Sequence, residues 1–249
     1  LLAQQGFNTS NIYFTATHTH SSIGAWYNSM VGEIFAGEYD KRVPEFIAGC
    51  ISRSILQAEK QCRPAKVGYA EFPTSKLVFN RLVTQMAHLP EFLGKVDSVL
   101  RMVKIENSEG KKAAIITFSA HNTVYHESLM SLSGDWSSLM MKQLNQSGKI
   151  DFSSFSAGAV GSHGPFEFSK KQEEEASYMA NGVADIILSH FDSISLQDVT
   201  SCQMLHVPLL LRQPNLRFTT HLVIRPWLFN KLFGNEKTYI NKLSIGNIQ

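Results

Sequence analysis

The stretch that decides the fold is VLRMVKIENSEGKKAAIITFS, residues 99–119. It holds two apolar, β-branched segments, Val99 to Glu106 and Ala113 to Ser119. Between them lies Asn107-Ser108-Glu109-Gly110, and asparagine, serine and glycine are the residues that favour a reversal of the chain. Two such segments joined by a short polar turn predict a β-hairpin.

Amphipathic helices and further strands alternate on both sides of this hairpin. From Asp40 to Cys62 the apolar residues recur at the spacing of one helix face, with Pro44 in the first turn. A second strong helix follows Ser169, which forms a capping box with Gln172 and precedes three glutamates that suit the positive helix end. The remaining predicted elements are strands at Asn11–Thr17, Ala65–Phe72, Phe152–Val160 and Gln203–Leu211, a helix at Ser137–Asn145 and a loop at Ser21–Glu33. This alternation predicts an α/β fold with a mixed sheet flanked by helices.

Both ends of the sequence resemble interrupted elements. Residues 1–6 predict the last turn of a helix closed by Gly6, and residues 242–249 predict part of a strand. We therefore expect residues 1–249 to form one domain that is incomplete at both ends.

Composition excludes several classes of protein. A formal net charge of +2 is too small to imply a nucleic-acid partner. The three cysteines (Cys50, Cys62 and Cys202) are too few for a disulfide framework, so we expect buried free thiols, with a Cys50–Cys62 bridge as the alternative. The sequence shows neither an apolar run of the roughly 18 residues that span a bilayer nor a signal peptide.

The sharpest chemical motif is His18-Thr19-His20, directly after a predicted strand. Residues i and i+2 of an extended segment point to the same side, so both imidazoles can reach one pocket. Neutral imidazole is a common zinc ligand, and hydroxyls such as those of the flanking threonines can orient it. An isolated His-x-His pair is also compatible with two structural or exposed histidines.

A second candidate ligand, His121, follows the predicted strand Ala113–Ser119. Ligand sites in α/β sheets collect at the carboxyl ends of strands, so two such histidine sites together predict a metal pocket. A glycine-rich segment, Gly158 to Pro165, either lets backbone amides approach a substrate or forms a plain turn. Its His163 is expected to be an ordinary loop residue.

These segments together resemble the neutral ceramidases and their bacterial relatives, as a divergent branch. The order and spacing of the similar motifs agree from about Asn11 to Pro165. The segments that carry the resemblance are Thr15-Ala16-Thr17-His18-Thr19-His20-Ser21, Asn80-Arg81, Phe118–Thr123, Ser133-Gly134-Asp135 and Gly161–Pro165.

The resemblance implies a zinc-dependent hydrolase that uses metal-activated water to cleave an amide bond in an N-acylated lipid such as ceramide. It implies that His18 and His121 are zinc ligands, that His20 assists proton transfer, and that Arg81 holds the developing oxyanion. Residues 1–249 would then be part of the catalytic domain, with a glutamate and a tyrosine ligand expected beyond Gln249. The implied partners are an N-acyl lipid or another small amide and a peripheral membrane contact, with no nucleic acid and no obligate protein partner. The implied location is secreted, periplasmic or at the cell surface.

Two departures from the family pattern keep alternatives open. Ser22-Ile23-Gly24-Ala25 stands where the family usually has Gly-Pro-Gly-Gly, and Gly164 stands where it has an active-site serine before proline. Ser162, two residues away, is the candidate catalytic serine. The alternative is a non-catalytic or substrate-shifted paralogue that keeps the fold and the metal. A barrel amidohydrolase or a metallo-β-lactamase is disfavoured, because the further ligands that those sites need do not follow.

Overall fold

A computed structural model describes residues 2–82, 95–126, 129–167, 171–210, 223–233, 238–246 and 248. The chain divides into two compact units, the first formed by residues 1–13, 23–62 and 201–249 and the second by residues 14–22 and 63–200. The prediction that residues 1–249 belong to a single catalytic domain stays a prediction.

The regular elements of the described chain have the following bounds. The helices are α1 (Met30–Ala36), α2 (Arg42–Lys60), α3 (Asp135–Gln146), α4 (Gln172–His190) and α5 (Pro226–Phe233). The strands are β1 (Ala65–Pro73), β2 (Val78–Asn80), β3 (Val99–Asn107), β4 (Lys112–Phe118), β5 (Phe152–Ala157), β6 (His163–Pro165), β7 (Gln197–Asp198), β8 (Cys202–Leu209) and β9 (Thr238–Ile245). None of the helices in this part of the chain is long and apolar enough to span a membrane.

The second unit is built on a five-stranded sheet with the order β5-β4-β3-β1-β7. The pairing of β4 with β5 is parallel, whereas β3 pairs antiparallel with both β4 and β1. The predicted hairpin is therefore confirmed as β3 and β4, and its turn is closed by Asn107, whose side chain accepts hydrogen bonds from the backbone N–H groups of Glu109 and Lys111. The α/β class with a mixed sheet flanked by helices is likewise confirmed.

Helices α3 and α4 complete the core of this unit. The buried apolar residues of α3 are Trp136, Met140 and Leu144, and they belong to the same apolar cluster as Leu100, Met102, Ile116 and Phe118 of the sheet. Helix α4 contributes an apolar stripe, which is buried at Ala176, Met179, Ala180, Val183 and Ile187 and half-buried at Ile186. This packing fixes the carboxyl ends of β4 and β5, from which the candidate site is built.

The predicted strand at Asn11–Thr17 is wrong. Residues Thr9–Asn11 form a 3₁₀ turn, and residues 12–19 belong to no strand. A strand needs a ladder of backbone partners on a neighbour. Here the carbonyl of Ala16 accepts one bond from the backbone of Ala157, and the carbonyl of Thr17 is bonded by the side chain of Asn122.

Other local predictions need smaller corrections. The predicted loop at Ser21–Glu33 runs into α1, which is capped by Ser29 through a 2.9 Å hydrogen bond from the Gly32 N–H. Helix α4 begins at Gln172 without a side-chain cap from Lys171, and the predicted cap Ser169 lies outside the described residues. The end of the glycine-rich segment forms β6, which pairs with β2. The cysteines are free thiols as expected, but they are not buried: Cys50 is half-buried and the other two are exposed.

The first unit contains α1, α2, α5 and the antiparallel pair of β8 and β9. Helix α2 confirms the helix predicted between Asp40 and Cys62, although Phe46 and Ile51 on its apolar face are exposed. The predicted glycine-closed turn near the start of the sequence is present as a 3₁₀ turn at Ala3–Gln5, which ends at Gly6 with a φ of 85°.

Two adjacent isoleucines of β4 test the placement of the core. Ile116 is 0% exposed and Ile115 is 36% exposed. Because Ile116→Ala would leave a cavity among close-packed side chains, we expect it to lower the free energy of unfolding by about 2–5 kcal/mol. Ile115→Ala, the matched control, should cost about 1 kcal/mol or less. Urea denaturation of both variants measures the difference, and equal losses would contradict the assigned faces of β4.

Candidate metal centre

Three histidines converge at the carboxyl ends of β4 and β5. The ring centroids of His18 and His121 are 4.7 Å apart, those of His20 and His121 are 4.9 Å apart, and those of His18 and His20 are 5.1 Å apart. One nitrogen from each ring lies within 4.8 Å of the others. The structure thus brings together the two predicted ligands and the predicted proton-transfer group.

His121 is the buried member of this cluster, with 3% of its surface exposed. It lies three residues beyond β4, and its backbone carbonyl accepts a 3.1 Å hydrogen bond from the indole N–H of Trp136. Its Nε2 is 3.0 Å from Nε2 of His20. Its Nδ1 is fully buried and no group among the described residues meets it with hydrogen-bond geometry. The backbone of Val160 nevertheless acts on this ring and stabilises its protonated form.

The segment that carries His18 and His20 is not extended at its first histidine. His18 has a φ of 61°, in the left-handed region. The face alternation of a strand therefore does not explain why both rings reach His121. The hydroxyl of Thr19 donates to the carbonyl of Ser133 at 2.7 Å rather than to an imidazole, and Ser133 N–H donates in turn to the carbonyl of Ser21 at 2.8 Å. These bonds hold the segment against the residues before α3.

The electrostatics of the cluster favour neutral imidazoles. Burial lowers the pKa of His121 to about 4, with further contributions from His18, Arg81 and His20, while the backbone of Val160 opposes the shift. Burial, His20 and Arg81 lower the pKa of His18 in the same way. A neutral imidazole keeps the lone pair that a metal ion needs, so at neutral pH these two side chains are in the metal-binding form.

The charge of Arg81 lowers the pKa of both His18 and His121, which shows that Arg81 lies near the cluster. Its Nε and Nη2 donate to the carbonyl of Gly161 at 3.0 and 2.8 Å. Its backbone N–H donates to the carbonyl of Ser162 at 3.0 Å. The guanidinium is therefore oriented by the glycine-rich segment, and a cation held in place next to the imidazoles can stabilise negative charge that develops there.

Ser162 contacts His163, but the hydrogen bonds around the ring prevent His163 from acting as a base for Ser162. The backbone N–H of Asp97 donates to Nε2 of His163 at 2.9 Å, so the neutral ring carries its proton on Nδ1. That Nδ1 lies 2.8 Å from Ser162 Oγ and 3.1 Å from the carbonyl of Ala159. The ring can donate to Ser162 but cannot take its proton. His163 is thus a buried residue of β6 and not an ordinary loop residue, and the catalytic role of Ser162 stays a prediction.

Two carboxylates without a site role in the sequence analysis are the half-buried Asp97 and the buried Asp135. Burial tends to raise the pKa of Asp97, but hydrogen bonds from Arg101 and Ser119 outweigh it and leave the pKa lowered. Asp135 has a φ of 57° and accepts from the backbone N–H of Tyr125 at 3.0 Å. Burial raises the pKa of Asp135, and its carboxylate also interacts electrostatically with His20. The Ser-Gly-Asp resemblance was the only sequence signal for Asp135.

The family model for the N-terminal part of the neutral/alkaline non-lysosomal ceramidases matches residues 2–161. The chain belongs to this family. The neutral ceramidase from Pseudomonas aeruginosa has the same fold, with a TM-score of 0.69 and 14% identity over 90% of this chain and 36% of its own. A ceramidase complexed with C2 gives a TM-score of 0.69 and 15% identity over 84% of this chain and 35% of its own.

At these identities the likeness to the two solved ceramidases shows the fold alone. This ceramidase-family chain spans little more than a third of their lengths, 35% and 36%. No curated protein matches the sequence. The activity of the whole protein is accordingly a matter for proposal and experiment.

The lowered pKa of His121 predicts that the metal-free chain becomes less stable as the pH falls. Its pKa is lowered from 6.5 to about 4 in the folded state, so between these pH values the unfolded chain binds the proton more readily. The free energy of unfolding should therefore fall as the pH drops from 6.5 towards 4, by up to about 1.4 kcal/mol per pH unit. Urea titrations at several pH values measure this slope. His121→Gln should flatten it, and equal slopes for the two chains would contradict the assignment.

Gly164 is closely covered by a neighbouring ring. A Cβ at this position would lie 3.0 and 3.1 Å from Cε1 and Cζ of Phe79, its partner across the β2–β6 ladder. Such distances are too short for ordinary packing, so a side chain at residue 164 requires the ring of Phe79 to move. The position at which the family resemblance leads us to expect serine therefore accepts a side chain only if the Phe79 ring shifts by a few tenths of an ångström.

Because of this close approach, we expect alanine substitutions at two nearby glycines to differ in their effect on the free energy of unfolding. Gly164→Ala should lower the free energy of unfolding by about 1–3 kcal/mol, because overpacking forces neighbouring side chains to shift. Gly161→Ala is the matched control, since a Cβ there meets nothing within 4 Å, and its effect should stay within about 0.5 kcal/mol. Thermal denaturation of both variants provides the measurement. Restored stability in Gly164→Ala/Phe79→Leu would identify the ring as the cause.

Proposed function

We propose that this chain is part of a zinc-dependent hydrolase that cleaves the amide bond of an N-acylated lipid such as ceramide. The observation that carries the proposal is the convergence of His18, His20 and His121 in a member of the ceramidase family. These three histidines are the residues that the sequence motifs identify.

The donor set fits zinc. Imidazole nitrogen is a preferred zinc ligand, and ligands about 2.0–2.1 Å from a tetrahedral ion lie about 3.4 Å apart. The two proposed ligands, His18 and His121, have ring centroids 4.7 Å apart, and each ring offers one nitrogen within 4.8 Å of the other's, so the pair can close on one ion with small shifts. When bound, zinc lowers the pKa of water towards 7 and polarises the substrate carbonyl.

Each side chain has a distinct role in the proposal. His18 and His121, whose pKa values are lowered, hold the metal in their neutral forms. His20 receives the proton released during attack, and the nearby carboxylate of Asp135 stabilises the imidazolium that results. Arg81 stabilises the negative charge that develops on the carbonyl oxygen.

The choice of substrate and setting is supported by family membership. An N-acyl lipid substrate, peripheral contact with a membrane and a secreted, periplasmic or cell-surface location all belong to the proposal on that basis.

A second candidate is a substrate-shifted or non-catalytic paralogue that retains the metal. Two observations favour it: Phe79 closes the space beside Gly164, and the proton on Nδ1 of His163 leaves Ser162 without a base in this ring. Both candidates predict bound zinc, and they differ in whether an N-acyl lipid is cleaved.

Metal analysis and a hydrolysis assay test the proposal together. The full-length protein should bind about one zinc ion, and His18→Ala and His121→Ala should each lose it, because each removes a ligand. His20→Ala should keep the metal and lower kcat for fatty-acid release from ceramide by about 10²–10⁴-fold. His126→Ala is the matched control, since His126 is exposed and lies outside the cluster.

The two candidates give different results in these assays. Bound zinc with no cleavage of any N-acyl substrate would establish the paralogue instead. Zinc that is absent from the parent chain, or unchanged in both ligand variants, would reject the metal centre.

A further inference from the structure

One buried amide joins the histidine segment to α3. Asn122 directly follows His121 and is 1% exposed. Its Nδ2 donates to the backbone carbonyl of Thr17, the residue before His18, and also to Ser137 Oγ at 2.9 Å. Its Oδ1 accepts from the Ser137 N–H at 3.4 Å. Asn122, the residue after the buried histidine, therefore holds the backbone that leads into His18 and His20.

The position of this bond matters because of the conformation of His18. A left-handed φ is unfavourable for a residue with a side chain and persists only where the surroundings impose it. Asn122 fixes the carbonyl just before His18, and the Thr19 hydroxyl bonded to Ser133 fixes the chain just after it. The unusual residue is thus held between two anchors that both belong to the region around α3.

The chemistry of asparagine suits this place. Its amide donates at Nδ2 and accepts at Oδ1 at the same time, which neither a carboxylate nor an apolar side chain can do. The side chain is fully enclosed, so a replacement without the donor would leave the carbonyl of Thr17 without this bond. The bonds of Asn122 connect to the ligands only through the backbone.

We propose that Asn122 is a positioning residue that sets the His18–His20 segment against His121 before any metal binds. The proposal deepens the zinc site described above and rests on it for its functional meaning. It concerns the geometry of the metal-free chain, however, and that geometry can be measured on its own.

The first test is zinc affinity. Asn122→Leu keeps the shape of the side chain but removes both its donor and its acceptor, so it should weaken zinc binding by about 10–100-fold, the usual effect of losing a group that orients a ligand. Asn122→Asp replaces the donor with a charged acceptor that repels the Thr17 carbonyl, and it serves as a second variant if the first does not fold. Ser137→Ala is the matched control, because it deletes the other partner of Asn122 and leaves the bond to Thr17 in place. Its affinity should stay within about threefold of the parent. Competition against a chelating indicator measures all four chains.

The second test needs no metal. In the metal-free parent, ring protons of His20 and His121 should give nuclear Overhauser contacts, because their centroids are 4.9 Å apart. These contacts should disappear in the Asn122 variants and persist in Ser137→Ala. If the parent binds no zinc, the metal proposal fails while this measurement still decides the role of Asn122. Ring contacts or zinc affinity that survive in a folded Asn122 variant would overturn the positioning role.

Discussion

The parallel pairing of β4 with β5 is the constraint on which the site depends. It aligns the carboxyl ends of the two strands, where Phe118 faces Ala157. Beyond Phe118 the chain reaches His121 in three residues, and the N–H of Ala157 binds the carbonyl of Ala16, two residues before His18. A shift in this ladder would move the end of β4, which leads to His121, relative to Ala157, which binds the segment before His18.

Local features of the sequence were sufficient to predict much of the fold. The β3–β4 hairpin depends on neighbouring residues and the asparagine–glycine turn, so its signal is contained in one stretch. The same kind of signal misled at Asn11–Thr17, because β-branched composition marks extended backbone but does not supply a neighbouring strand. The convergence of His121 with His18 and His20 was anticipated from the strand ends that the motifs were predicted to follow and from the family resemblance, although residues 12–19 form no strand. The proton position on His163 could not be anticipated at all, because it is set by a backbone N–H 66 residues away in sequence.

The arrangement that makes the histidines available to a metal ion also lowers the stability of the metal-free chain in acid. Three imidazoles and a guanidinium packed together repel any added proton, and burial strengthens that effect at His121. The same repulsion keeps lone pairs available to a metal ion. The surrounding hydrogen bonds from Asn122 and Thr19 hold the segment in place, so the network beside α3 supports the fold and the site at once.

The close approach of Phe79 to Gly164 also restricts the order in which the sequence can change. Each position limits the other across the β2–β6 ladder, so a serine introduced at residue 164 meets an aromatic ring unless residue 79 has already become smaller. The two positions are thus energetically coupled: the free-energy cost of a side chain at residue 164 depends on the size of the side chain at residue 79.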